Sequence, residues 1–266
     1  MTVEQLQDLR HGLISICSEV SLFIRAELDL VSQEDIVSKD RNSLVSYVDQ
    51  EAERKLVAAL SSLLPEAGFI TEENTVARDN KALMWVIDPL DGTSNYLYRL
   101  PHFSISIALM SDGVTIAGIV YEIMHNRAFS AVKGGGAFEN NKSITVSDRN
   151  KKSEALVVTG FPYEREVRLD DRLAVLKQVI LNYRGLRRLG SAALDLAYVA
   201  SGRFDIYYEN ELNVWDIAAG QLLVEEAGGV VKDYRGGDDV LRDCSVVATT
   251  PVFYNEFAQL IKKHLS

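Results

Sequence analysis

Trp85-Val86-Ile87-Asp88-Pro89-Leu90-Asp91-Gly92-Thr93-Ser94-Asn95 joins an apolar run to two acids and a cluster of turn residues. The run begins at Met84, and Met84 to Ile87 reads as a buried strand that stops at the carboxylate of Asp88. Asp91 follows three residues later across a proline turn, and Gly92, Thr93 and Ser94 then allow a helix to start. The free backbone N–H groups of a helix start suit an anion, whereas the two acids repel one unless a cation lies between. Two readings compete here. One is an ordinary turn, since Asp-Pro and Asp-Gly are common turn dipeptides. The other is a site in which acids hold a divalent metal and the metal holds a phosphate.

Upstream, Gly68 to Thr71 reads as a short strand that also ends in acids, Glu72 and Glu73. Residues 75–82 between the two strands are polar and read as a loop. Ser43 to Val48 has strand character and leads into a helix that runs to about Leu64, where Pro65 and Gly68 break it. Asp49 reads as a cap for that helix. Residues 29–44 are irregular and highly charged. Residues 3 to 28 form a helix on the spacing of Leu6, Leu9, Leu13, Ile16, Val20, Phe23 and Ile24.

Downstream, Phe103 to Met110 alternates as a strand, and Ser111-Asp112-Gly113 turns it toward strands at Val114–Tyr121, Arg127–Val132 and Ile144–Val146. Gly134-Gly135-Gly136 lacks the Lys-Ser/Thr and helix of a phosphate loop, so it reads as a hairpin turn. Ser147 to Ser153 is the best lobe boundary, giving an N-terminal lobe over 1–147 and a C-terminal lobe over 148–266 in one compact unit. Beyond it come a strand at 156–159, a helix at 165–181, a helix opened by Gly190-Ser191-Ala192-Ala193, and a strand at 204–208 that ends at Glu209. Trp215-Asp216-Ile217-Ala218-Ala219-Gly220 starts a helix that ends at Gly228-Gly229; strands at 229–233 and 245–248 and a helix opened by Pro251 complete the chain. Strands alternating with helices at both ends, with a run of strands between, indicate a layered α/β (α+β) fold in two lobes.

The 266 residues carry a formal net charge of −10, which argues against direct nucleic-acid binding through phosphate neutralisation. Cys17 and Cys244 stand apart and the four histidines are scattered, so zinc sites, disulfide frameworks and histidine triads find no support. A reducing cytoplasm is the expected location, with no signal peptide and no membrane span, since no stretch approaches the ~20 apolar residues that a span needs.

Glu72, Asp88, Asp91 and Asp216 are therefore the candidate ligands. Hard oxygen donors without histidine or cysteine point to magnesium, with manganese or calcium as alternatives, and several acids in one site imply more than one ion. Spacing leaves open whether Asp216 meets Asp88. A phospho-aspartate mechanism is disfavoured: haloacid-dehalogenase-type phosphatases carry D-x-D-x-T after an apolar strand, and the acids here stand as D-x-x-D.

The Trp85–Asn95 stretch resembles the first signature of the inositol monophosphatase family, and Trp215–Gly220 running on to Glu226-Ala227-Gly228-Gly229 resembles its second. Asp49, Glu72-Glu73 and Gly190–Ala193 fall in the expected order around them. The likeness spans essentially the whole chain. It implies a five-layered α/β/α/β/α sandwich, a homodimer, and a lithium-sensitive phosphatase dependent on Mg2+, with two or three ions per site. It implies that Glu72, Asp88, Asp91, Asp216 and the Leu90 carbonyl hold the metals, and that the amides around Gly92 and Thr93 hold the phosphate. A metal-activated water would be the nucleophile, oriented or deprotonated by Asp49 and Thr93, with Glu72 assisting. Gly190, Ser191 and Ala192 would line the substrate pocket. Glu209, seven residues before Asp216, stands where family members acting on inositol phosphates carry a glutamate that contacts ring hydroxyls. The implied substrate is a small phosphorylated polyol, inositol 1-phosphate first. Fructose 1,6-bisphosphate, 3′-phosphoadenosine 5′-phosphate, histidinol phosphate and NADP are the alternatives within the superfamily. A regulatory binding role is a further alternative, because some bacterial relatives are linked to the transcription machinery. Two departures are visible: the loop at Lys39–Leu44 is about one residue shorter than in animal enzymes, which leaves the role of Lys39 open, and Ser94 replaces a more usual threonine.

Overall fold

The computed structural model of the chain describes residues 1–31, 37–40, 43–45, 47–78, 80–161 and 168–265. Helix α1 (Val3–Glu27) opens with a capping box between Thr2 and Gln5 and buries Leu6, Leu9, Leu13, Cys17, Val20 and Ile24 along one face. Strands β1 (Val37–Asp40) and β2 (Ser43–Val45) form a small antiparallel pair, and the side chain of Lys39 lies outside the described residues. Helix α2 (Tyr47–Leu63) follows. Asp49 is not at the N-cap position: it is the third residue of α2, 2% exposed, and turned inward.

A seven-stranded sheet contains β3 (Gly68–Thr71), β4 (Leu83–Asp91), β5 (Ser104–Ser111), β6 (Val114–Glu122), β7 (Arg127–Val132), β8 (Gly136–Glu139) and β9 (Lys142–Ile144) in chain order, with the short helix α3 (Thr93–Leu97) after β4. Only β3 and β4 pair in parallel; the others form an antiparallel meander. A second sheet has the order β11-β10-β12-β14-β13, from β10 (Leu156–Thr159), β11 (Gly185–Arg187), β12 (Ile206–Asn210), β13 (Val230–Lys232) and β14 (Ser245–Thr249). The remaining helices are α4 (Leu169–Asn182), α5 (Ala192–Ala200), α6 (Val214–Glu226), α7 (Val240–Asp243) and α8 (Pro251–His264). The first three residues of the helix expected at 165–181 lie outside the described residues, while β1, within the stretch read as irregular, β8, β11 and α7 are additions to the sequence-based reading.

Strand alternation builds the layers, because successive side chains face opposite sides of a sheet. Trp85, Ile87, Ile105, Ile107, Leu109 and Ile119 face α1 and α2 in one apolar cluster. Val86, Ala108, Met110 and Val120 face the other way, onto α5 and α6. The same central cluster takes Val158, Tyr207, Val246 and Ala248 from the second sheet. On that sheet's far face, Val157, Ile206, Tyr208 and Val247 pack on α4 and α8 through Val175, Val179, Phe253 and Phe257. Helices, sheet, helices, sheet, helices make the five layers. The middle layer sits close: a Cβ on Gly118 of β6 would come 3.0 Å from Ala219 Cα of α6.

The expected strand stop at Asp88 needs correction. Strand β4 runs on to Asp91, with Asp88 opposite Ser106 and Asp91 opposite Ser104, so three steps on β4 match two on β5. Pro89 cannot donate to a ladder, and a bulge is one of the few places where a paired strand tolerates it. The bulge turns Asp88 and Asp91 toward the same end of the sheet.

Candidate functional site

Each acid is positioned by a separate local device. Glu72 follows β3, and its N–H donates to the Ile87 carbonyl at 3.2 Å, so the β3–β4 ladder carries it alongside Asp88. Asp88 Oδ1 accepts the Leu90 N–H at 2.9 Å, closing a turn over Pro89. Asp91 Oδ2 accepts the Ser191 hydroxyl at 2.5 Å and the Ala193 N–H at 2.8 Å, so the N-terminus of α5 grips one oxygen of this carboxylate. Asp216 is the third residue of α6, where its Oδ2 accepts the Asn213 N–H at 2.7 Å. Strand β5 ties that helix start to the sheet, since the Ser106 hydroxyl donates to the Trp215 carbonyl at 3.0 Å.

Three of these four devices converge on one point. Asp88, Asp91 and Asp216 each offer an oxygen, and these oxygens lie within 4.8 Å of one another. The sequence left this meeting open because it joins residues 88 and 216 through topology alone. Glu72 stands against Asp88 closely enough to share a hydrogen bond with it.

Electrostatics mark the cluster as strained in the absence of a cation. Burial, then the charges of Glu72, Asp91 and Asp216, push the Asp88 carboxyl well above the usual range. Burial, then Asp91 and Glu72, do the same to Asp216. Asp91 is raised by burial to about 6, held down in part by its bonds to Ser191 and the first amides of α5. Buried hard oxygens that repel one another fit a divalent cation, which relieves both the desolvation and the repulsion. Asp88, Asp91, Asp216, Glu72 and the Leu90 carbonyl are the groups that would hold it.

The pH dependence of stability follows. Carboxyls with raised native pKa values keep protons that the unfolded chain has released, so their contribution to stability falls as pH rises through the gap. For Asp91 that gap runs from the ordinary 3.8 up to about 6. A bound divalent cation reverses the penalty. Magnesium is therefore expected to raise the melting temperature strongly at pH 7.5 and by much less at pH 5. Thermal melts at both pH values check this, and a magnesium effect independent of pH would contradict it.

Thr93 lies beside these acids. Its hydroxyl is 3.0 Å from Asp49 Oδ1 and 3.1 Å from the Leu90 carbonyl, and it donates to one of them at a time. Gly92 precedes α3 with φ +97°, and a Cβ there would sit 3.1 Å from the His102 carbonyl and 3.3 Å from the Gly190 carbonyl. Only glycine meets both demands at low cost. Asn95 fastens the same junction by donating to the carbonyls of His102 (2.7 Å) and Leu189 (2.8 Å). Ser191 caps α5 by accepting the Leu194 N–H, and Ala192 follows it at 9% exposure.

Glu209 sits near the end of β12, with Oε2 accepting the Tyr207 hydroxyl at 2.8 Å. Burial pushes its carboxyl up to about 7; the Tyr207 bond and Arg188 pull it back, and Asp91 raises it. Its charge is felt by Asp216 as well, so Glu209 belongs to the same field as the acid cluster.

One residue escaped the sequence reading. Glu53, fully buried on α2, accepts the Glu73 N–H (2.7 Å), the Thr75 N–H (2.8 Å) and the Thr75 hydroxyl (2.8 Å). It holds the chain just past Glu72. The available signal was its spacing: Asp49 and Glu53 are four apart on a helix, hence on one face, and that face is otherwise apolar.

Among the described residues, no helix is long and apolar enough to cross a membrane. The sequence model of the inositol monophosphatase family matches residues 5–266. An inositol-1-monophosphatase of Mesorhizobium japonicum is 42% identical over 229 residues, 86% of each chain. A Nus factor SuhB of Pasteurella multocida is 39% identical over the same length and coverage. The crystal structure of the extragenic suppressor protein suhB from Bartonella henselae superposes with a TM-score of 0.91 at 34% identity, covering 96% of this chain and 98% of the other.

Proposed function

Since this chain belongs to the inositol monophosphatase family, we propose that it is a magnesium-dependent phosphomonoesterase that hydrolyses inositol 1-phosphate or a closely similar polyol phosphate. The convergence of Asp88, Asp91 and Asp216 within 4.8 Å supports this most directly. Its place beside the N-terminus of α3 adds weight, since the first amides of a helix have no intrahelical partners and suit a phosphate.

Bound magnesium supplies charge neutralisation at the phosphoryl oxygens and at the departing alkoxide. The chain's own groups do the rest. Amides of Gly92 and Thr93 bind phosphate oxygens. Thr93 donates its hydroxyl hydrogen to Asp49, which leaves the Thr93 oxygen free to accept a proton from a water placed for in-line attack. That proton reaches Asp49 through Thr93 as the phosphorus–oxygen ester bond breaks, and the departing alkoxide takes a proton from solvent water to leave as the free alcohol. Glu209 accepts hydrogen bonds from two neighbouring ring hydroxyls, with Gly190, Ser191 and Ala192 forming the wall beside it.

Phosphate release from inositol 1-phosphate, compared with an aryl phosphate, tests the substrate reading. Glu209→Gln is expected to lower kcat/KM for the inositol phosphate about tenfold or more, as loss of charged hydrogen bonds requires, and to lower it less for p-nitrophenyl phosphate. Equal losses on both would remove Glu209 from the polyol pocket.

A second reading rests on the naming of relatives as Nus factors, at 36–42% identity. In it the chain also serves as a regulatory binding protein. A purified protein that binds magnesium yet hydrolyses none of the superfamily's substrates would favour that role over the enzymatic one.

A further inference from the structure

The end of β10 lies parallel to β12, with Val158 beside Tyr207 and Thr159 beside Tyr208, so the next residue, Gly160, falls beside Glu209. The Glu209 carboxylate leans over Gly160. A Cβ built on Gly160 would lie 1.9 Å from Oε1, 2.1 Å from Cδ and 2.1 Å from Oε2. No side chain of any kind fits at 160 while the carboxylate stays where it is. The backbone of Gly160 helps to hold down the pKa of the same carboxyl, and the fully buried Tyr207 hydroxyl donates to Oε2 at 2.8 Å. The Thr159 hydroxyl donates to the Tyr208 carbonyl at 2.6 Å and so fixes the spacing of the two strand ends.

We propose that Gly160 and Tyr207 are specificity-determining positioning residues: the missing Cβ at 160 makes the seat for the Glu209 carboxylate, and the Tyr207 hydroxyl sets its orientation toward a substrate bearing vicinal hydroxyls. This rests on the reading of Glu209 as the group that accepts those hydroxyls. The glycine is not required by backbone conformation, because Gly160 is absent from the glycines with positive φ. Nor does the fold need it: the atoms that a Cβ would strike are the far end of a flexible side chain, which can swing away while the backbone stays. Space for the carboxylate is what remains to explain a glycine here.

The experiment measures kcat and KM for inositol 1-phosphate and for p-nitrophenyl phosphate in Gly160→Ala, Tyr207→Phe, Glu209→Gln and the double variant Gly160→Ala with Glu209→Gln, together with melting temperatures. Gly160→Ala is expected to lower the ratio of kcat/KM on the inositol phosphate to that on the aryl phosphate by about tenfold, mainly through KM. Tyr207→Phe, which keeps the ring's volume, is expected to move the ratio in the same direction. The double variant is expected to match Glu209→Gln alone, since groups that act through one carboxylate are not additive. If Glu209→Gln shifts the ratio but neither partner variant does, or if the effects multiply in the double variant, the seat is disproved while the polyol reading of Glu209 stands. If Glu209→Gln itself leaves the ratio unchanged, the polyol reading falls and the seat's role in specificity falls with it.

Discussion

Replacing Asp91 with asparagine is expected to reduce magnesium-dependent hydrolysis by about a thousandfold and to leave the melting temperature of the metal-free protein unchanged or higher. The two halves of this expectation come from the two oxygens of the side chain. Oδ2 is bonded to the Ser191 hydroxyl and the Ala193 N–H, and an asparagine carbonyl accepts both. The junction between β4 and α5 therefore survives. The carboxylate also offers an oxygen to the cluster with Asp88 and Asp216; with the asparagine carbonyl held by α5, an NH2 group replaces the remaining oxygen, a donor where a cation needs an acceptor. Losing one carboxylate ligand removes several kcal/mol of charge stabilisation, and about 4 kcal/mol is three powers of ten in rate. Stability moves the other way. Burial already raises the Asp91 carboxyl to about 6, so above that pH the metal-free fold carries a buried charge that asparagine lacks. Loss of the fold in Asp91→Asn, seen as loss of a cooperative melt, would mean that the carboxylate is chiefly structural.

The second large effect belongs to the middle layer. Gly220→Ala is expected to destabilise the protein by about 3 kcal/mol, a fall of roughly 6–12 °C in melting temperature for a chain of this size. A Cβ on Gly220 would lie 2.5 Å from Leu196 Cδ1 and 2.6 Å from Leu196 Cβ, and Leu196 is fully buried. Unlike the carboxylate over Gly160, a Cβ cannot move without its backbone. Helices α5 and α6 must then separate, and they carry Ser191 and Asp216 at their N-termini. Gly12→Ala on α1 is the matched control. Its Cβ would approach Leu63 Cδ1 at 3.1 Å, the end of a half-buried side chain, and helix propensity favours alanine by about 1 kcal/mol. Calorimetry on the pair decides the matter: similar melting temperatures would show that the close α5–α6 crossing carries no such constraint.

Much of this architecture was legible because it is local. Alternation along Phe103–Met110 and Val114–Tyr121 named strands whose two faces were then filled by different helices. Glycine and serine at 190 and 191 marked the start of α5, and Pro251 marked the start of α8. The acids after β3 and on β4 stood out because acids rarely follow a buried run without a reason. What escaped was not local. The sequence reading ends the strand at Asp88, yet a bulge lets β4 carry on to Asp91, and a bulge depends on the partner strand. The contact of Asp49 with the Thr93 hydroxyl joins residues 44 apart, a pairing that local sequence does not signal. Glu53 offers only its spacing from Asp49 as a signal, because the amides that bond to it lie 20 and 22 residues on. The meeting of Asp216 with Asp88 depends on α6 lying across the large sheet, a placement that only the layered topology creates.

One assay tests magnesium-dependent polyol phosphate hydrolysis most directly: phosphate release by the unmodified protein from inositol 1-phosphate, fructose 1,6-bisphosphate, 3′-phosphoadenosine 5′-phosphate and NADP, with magnesium, with magnesium plus lithium, and with chelator. The predicted result is hydrolysis led by inositol 1-phosphate, present with magnesium, suppressed by lithium and abolished by chelator. Hydrolysis that persists in chelator, or no hydrolysis of any of the four at saturating magnesium, would contradict it.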